Sequence, residues 1–222
     1  MSEGTQSLVS AHLNNGGQSC NMNGNKTHDA AAVSEILRPV YLEDHFYEMT
    51  EALRDQFEKK VSPGKASGLT SLVYAYCHNA YQFLTASADD IFEAKTLAHL
   101  MDAIQGWANK TLGVSHISTP QVRVYVQGCS RRLLRDDIGV QWHYLFSLTR
   151  NLNGKHRSQI KLLGGSNAAN GHGDVHIDQL VRLPLEFNQL LVHQAANSYS
   201  IEPRSSSMNP IDGVVLLDGY LW

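Results

Sequence analysis

Cysteine is scarce in this chain. Only Cys20, Cys77 and Cys129 occur among 222 residues, far apart and in no C-x-x-C spacing, so neither a disulfide framework nor a cysteine zinc site is expected. Charge is thin as well. Asp, Glu, Lys and Arg make up 18% of the chain and leave a net charge of −3; they are interspersed, with no basic stripe for a phosphate backbone and no basic amphipathic helix for a membrane surface. Long apolar runs are missing, and the start lacks the basic-then-apolar pattern of a secretory signal. Nucleic-acid and membrane partners are therefore not expected, and a soluble cytoplasmic protein is.

What the chain does contain is 42% hydrophobic residues, enough to bury one sizeable core. Residues 1–32 are rich in Asn, Gly, Ser and Gln with few large apolar groups, which predicts a disordered tail; residues 33–222 read as a single domain. From Leu42 to Val61 the apolar positions Phe46, Met49, Leu53 and Phe57 recur at helical spacing, with Lys59 and Lys60 late and Ser62-Pro63-Gly64 as a stop. Tyr74, Tyr76, Tyr81 and Phe83 crowd the next stretch and are expected to pack the helical half against a sheet. Helical spacing returns from Asp89 to Leu112. After Pro120 the texture changes to short β-rich runs at Val122–Gln127, Gln141–Thr149, Ser158–Leu163, Gln189–His193, Tyr199–Glu202 and Val214–Trp222. Such a series suggests a sandwich or barrel whose mouth holds a small ligand.

The string VYVQGCSRRLLRDDIGVQWHYLFSLT, beginning at Val124, resembles a stretch of the bacterial, biosynthetic iron(II)/2-oxoglutarate oxygenases of the form Y-x-x-G-C-x-Q-x-L-H-x-D followed by W-x-x-x-x-S-L-T. The closing segment FNQLLVHQAANSYSIEPRSSSMNPIDGVVLLDGYLW is similar to the final strands of the same family. The resemblance implies an α+β fold, a double-stranded β-helix (a jelly-roll or cupin-like barrel) with a helical N-terminal half packed against it.

In that family two His and one carboxylate hold the iron as a facial triad. By the resemblance, the first His falls on Leu134, which has no lone pair to give, and the carboxylate on Asp136. The second His falls on Tyr199, a poor partner for ferrous iron because its ordinary pKa is about 10. The Arg that clamps 2-oxoglutarate falls on Val214, which cannot form the bidentate pair. The resemblance thus implies a barrel with no metal and no cofactor.

Asp136 and Tyr199 are the candidate catalytic pair, an acid or base and a hydrogen-bond donor, with a plain structural Asp–Tyr bond as the alternative. Leu134, Arg135, Trp142, His193 and Val214 are the candidate substrate wall, although His193 reads more readily as a hydrogen-bonded core or pocket-edge residue. Arg131 and Arg132 read as a solvated face. His172, Asp174, His176 and Asp178 alternate as strand-spaced ligands would, but their glycine-rich setting favours a surface loop.

Two functions follow. One is a non-oxidative, cofactor-independent cyclase, isomerase or lyase acting on a natural-product intermediate, a small-molecule substrate. The alternative is a non-catalytic pseudo-oxygenase that binds a small molecule or an active partner; an oxygenase with ligands rearranged among Asp136, His143, His176 and His193 is a third reading. Oligomeric state is not legible.

Overall fold

A computed structural model describes residues 39–62, 72–134, 141–150, 158–163, 180–202 and 207–222. Its eleven described strands, β1 (Val40–Asp44), β2 (Val73–Cys77), β3 (Tyr81–Ser87), β4 (Gln121–Tyr125), β5 (Ser130–Leu134), β6 (Trp142–Ser147), β7 (Gln159–Leu163), β8 (Leu180–Pro184), β9 (Gln189–Gln194), β10 (Ser198–Glu202) and β11 (Val214–Leu221), form one antiparallel sheet. Its order is β1-β9-β6-β11-β4-β3-β5-β10-β7-β8, with β2 paired to β3 off this path. From β4 onward the chain passes back and forth between β9-β6-β11-β4 and β5-β10-β7-β8. That alternation is the double-stranded β-helix. β3 joins the two halves, pairing with β4 through Leu84–Ser87 and with β5 through Tyr81 and Gln82.

The helices are α1 (Thr50–Val61), α2 (Ala88–Ile91) and α3 (Ala94–Leu112). α1 turns Leu53, Phe57 and Val61 inward. α3 does the same with Leu97, Leu100, Ile104 and Ala108, and ends where Gly113 takes a left-handed φ of 71°. The face of β6, β9 and β11 that carries Tyr144, Phe146, Leu190, Val192, Val215 and Leu217 is buried on this helical layer; Phe146, for example, meets the rings of Phe46 and Tyr47 edge-on at 6.1 and 6.3 Å.

The N-terminal half is less helical than its spacing suggests, because three strands lie within it. Residues 40–44 pair with β9 along their whole length, and this long-range ladder overrides the helical reading of Leu42 onward. Helix α1 begins only at Thr50, whose hydroxyl donates to the Tyr47 carbonyl at 2.6 Å. Residues 73–87 form a hairpin whose turn holds Asn79 at φ 60°, a conformation Asn tolerates. Within that hairpin Phe83 is buried, whereas Tyr74 and Tyr76 are more than half exposed, so those two do not pack helices against the sheet. β5 and β8 complete the barrel without having been marked by an apolar run.

Candidate functional site inside the barrel

Strand pleating decides what the barrel encloses. Arg123 and Tyr125 of β4, His143 of β6, His193 of β9 and Val214, Leu216 and Asp218 of β11 occupy registers that place them on the sheet face opposite the helices. Tyr199 of β10 approaches the same group, and Arg131 of β5 covers its ring, with the guanidinium carbon 4.0 Å from the ring centroid. His143, His193, Tyr199 and Asp218 are all at most 2% exposed. Charged side chains rarely stand in such a place unless paired.

Asp218 is the hub. Its Oδ2 lies 2.6 Å from Nη1 of Arg123 and accepts the Tyr199 hydroxyl at 3.1 Å. Its Oδ1 lies 2.8 Å from Nε2 of His143. Arg123 also donates to the Tyr199 oxygen at 3.1 Å. On the far side of the His143 ring, Nδ1 meets Nε2 of His193 at 3.1 Å, and Nδ1 of His193 meets the Gln194 carbonyl at 2.8 Å.

The polarity of this chain follows from its ends, since a carbonyl and a carboxylate can only accept. His193 donates to the Gln194 carbonyl through Nδ1, and His143 donates to the Asp218 carboxylate through Nε2. Burial, followed by the neighbouring His143, pushes His193 down to about 3, which keeps it neutral. For Asp218, burial alone would raise the pKa, but Arg123 and then His143 outweigh it and hold the carboxyl well below its usual range. For Arg123, burial works downward, and Asp218 together with Tyr199, Tyr125 and Tyr220 more than offsets it. Burial and Asp218 together push the Tyr199 phenol well above 10, and burial drives up Tyr125, with Arg123 working against it.

Of the residues singled out by sequence, Tyr199, His193 and Val214 share this interior, and Val214 is 1% exposed. Leu134 pairs directly with Tyr199 across β5 and β10, so the two positions to which the resemblance assigns His ligands face each other on adjacent strands. Trp142 stands apart. It alternates with His143, lies on the helical side of β6 and packs edge-on against Tyr41 at 5.7 Å. Arg135, Asp136, His172, Asp174, His176 and Asp178 lie outside the described residues. Arg132 is exposed as expected, but Arg131 is only 4% exposed; its place over Tyr199 corrects the reading of a solvated arginine.

Arg123, His143 and Asp218 were missed as a set. A signal for them existed: Asp218 interrupts the apolar run VVLLDGYL and Arg123 the run QVRVY, and a charge inside a buried strand needs a partner.

The iron centre of the family that the chain resembles does not fit the described residues at these positions. The Tyr199 hydroxyl is held protonated, donates to Asp218 and accepts from Arg123, and two guanidinium groups border it where a dication would have to sit. Of the rearranged ligands, Asp136 and His176 lie outside the described residues, and His143 and His193 do not converge on one point. His143 spends both nitrogens along a line between Asp218 and His193, whereas metal ligation needs lone pairs converging on one point. Val214, at the arginine position, offers no charge.

No protein-family profile and no curated protein matches the chain. Solved structures do. A prolyl-4-hydroxylase from Pseudomonas putida superposes with a TM-score of 0.56 at 14% identity, over 83% of this chain and 92% of that one. SnoK, a non-heme α-ketoglutarate-dependent carbocyclase from nogalamycin biosynthesis, gives 0.59 at 12% identity over 83% and 79% of the two chains. SnoN, the corresponding epimerase, gives 0.59 at 10% over 82% and 78%. At such identities the likeness is one of architecture, and the strand order, the facing pair Leu134–Tyr199 and these superpositions agree: the chain has the double-stranded β-helix fold of the iron(II)/2-oxoglutarate oxygenases.

Proposed function

We propose that this barrel acts without metal or co-substrate as a cyclase, isomerase or lyase on a natural-product biosynthetic intermediate. The observation that carries the reading is the buried cluster of Arg123, Arg131 and Asp218 around Tyr199, the residue to which the resemblance assigns the second His. Fixed guanidinium groups in a water-poor interior supply positive charge that needs no reorganisation when a substrate oxygen becomes negative. That suits proton removal beside a carbonyl, or addition to an enone. Asp136, two residues beyond the Leu134–Tyr199 pair, is the acid or base of this scheme, with Leu134, Arg135, His193 and Val214 restricting the substrate to its reactive conformer. Trp142 acts from outside the interior, by holding β6 against Tyr41. SnoN and SnoK are named as an epimerase and a carbocyclase, which supports the substrate class; both are also named as α-ketoglutarate-dependent, so they lend nothing to the cofactor-free step.

The non-catalytic reading has its own support. His143, Asp218 and Tyr199 satisfy one another's hydrogen bonds, as a purely structural network would. Asp136→Asn and Tyr199→Phe, placed in a producing host that lacks its own copy, separate the two. A collapse of the product with folded protein at its normal level supports catalysis. An unchanged product profile with both variants well folded refutes it and leaves the binding protein.

A further inference from the structure

The ends of the main sheet are guarded, and the hairpin beside it is not. β1 carries Glu43 and Asp44, and β8 carries Arg182 and Pro184, the charges and proline with which natural edge strands repel further pairing. β2 has the sequence Val-Tyr-Ala-Tyr-Cys, with no charge and no proline. Among the described residues it pairs only with β3. Val73, Tyr74 and Tyr76 are 64, 56 and 58% exposed, and Cys77 is exposed too. The two tyrosine rings are already arranged as a plate, their planes 9° apart with centroids at 6.5 Å. Tyr74 donates to Oε1 of Gln82 at 3.2 Å, and the Tyr76 hydroxyl meets Nδ1 of His78 at 3.0 Å.

We propose that β2 is a dimerisation edge, pairing antiparallel with β2 of a second copy of this chain about a two-fold axis at Ala75. The occupant follows from symmetry and charge. In an antiparallel ladder, hydrogen-bonded and non-hydrogen-bonded pairs alternate, so a two-fold arrangement must be centred on a residue that pairs with itself. Only Ala75 as centre lets all five residues pair. Tyr74 then lies opposite Tyr76 of the second copy, twice over, and Val73 lies opposite Cys77, twice over. Every cross-strand pair is aromatic or apolar, and none sets like charges against each other. A neutral strand that meets itself in register needs no other partner chemistry. Because the contact is one short strand per copy, it belongs with small, reversible interfaces.

The register makes a covalent test possible. Cys77 faces Val73 across the axis, while the two Cys77 residues lie four positions apart along the strand, about 13 Å at roughly 3.3 Å per residue, too far for a disulfide. In a Cys20→Ser background, full-length protein with Val73→Cys should form a disulfide dimer on mild oxidation, with peptide mapping placing the bond between positions 73 and 77. The same background without Val73→Cys should not. Sedimentation of the unmodified chain should show the mass moving from one chain towards two over roughly a hundredfold range of concentration, as a small interface allows. Tyr74→Lys should hold it at one while leaving the melting temperature in place, since Tyr74 is on the surface. A chain that stays monomeric throughout, a dimer indifferent to Tyr74→Lys, or a Val73→Cys protein that does not cross-link, would each overturn the assignment.

Discussion

Asp218→Asn tests the central network at its hub. The substitution keeps the shape of the side chain and removes its charge. Arg123, whose side chain is 14% exposed, then loses a partner at 2.6 Å, and the fully buried His143 loses one at 2.8 Å. Removing one member of a buried pair leaves an uncompensated charge and costs about 3–5 kcal/mol, a large share of a typical total of about 5–15 kcal/mol. For a chain of this size each kcal/mol moves the midpoint by roughly 2–4 °C, so a fall of about 6–20 °C is expected. Thermal melts followed by circular dichroism, with urea unfolding to supply the free energy, measure it. Adding Arg123→Met should recover much of the loss, because the stranded cation is then gone, and the double-mutant cycle gives the coupling directly. If Asp218→Asn costs less than about 1 kcal/mol, the range of exposed ion pairs, or if Arg123→Met adds to the damage instead of relieving it, the interior is not held by this pair.

Further consequences follow from the same geometry. His193 is neutral in the fold with its pKa depressed to about 3, below the unfolded value of about 6.5; the stability it contributes is complete above that unfolded value and drains away as pH falls from there towards 3. His193→Gln should flatten the acid side of a stability–pH curve between those limits, and an unchanged slope would refute the assignment. Calorimetry with ferrous or manganous ion should show no stoichiometric binding, with Leu134→His alone failing to create a site or to produce succinate from 2-oxoglutarate; micromolar affinity in the unmodified chain would show that residues beyond those described complete a centre. Gly219→Ala places a Cβ 2.5 Å from Cζ and Oη of the buried Tyr144, so a loss of about 1–3 kcal/mol is expected in urea unfolding, and a neutral result would mean that the Tyr144 ring has room to withdraw.

The barrel was legible because its strands are short, rich in apolar and aromatic residues and punctuated by turns: the runs around Val122, Gln141, Ser158, Gln189, Tyr199 and Val214 each coincide with a strand. β5 was not legible as a run, because Ser130-Arg131-Arg132 reads as a solvated segment while the chain buries one of those arginines and exposes the next. β1 was lost because its ladder partner β9 lies far along the chain, which local spacing does not record, and the β2–β3 hairpin because Val-Tyr-Ala-Tyr-Cys shows no period-two alternation of apolar and polar residues. The site divides along the same line. The resemblance names Tyr199 and Leu134 together, and the structure pairs the two directly across β5 and β10. The network that surrounds Tyr199 could not be placed in this way, because His143 and Asp218 are 75 residues apart, and His143 and His193 50 apart, and no motif joins them. A single chain does nonetheless record burial of charge against its surroundings. Asp218 stands in an otherwise apolar strand and Arg123 between two buried valines, where an ion is tolerated only with a counter-ion beside it. Two such interruptions of opposite sign, on strands the fold makes neighbours, predict each other. Because Arg123 and Tyr199 both engage Oδ2, Oδ1 needs a further donor inside the dry barrel, and His143 supplies it from the neighbouring strand.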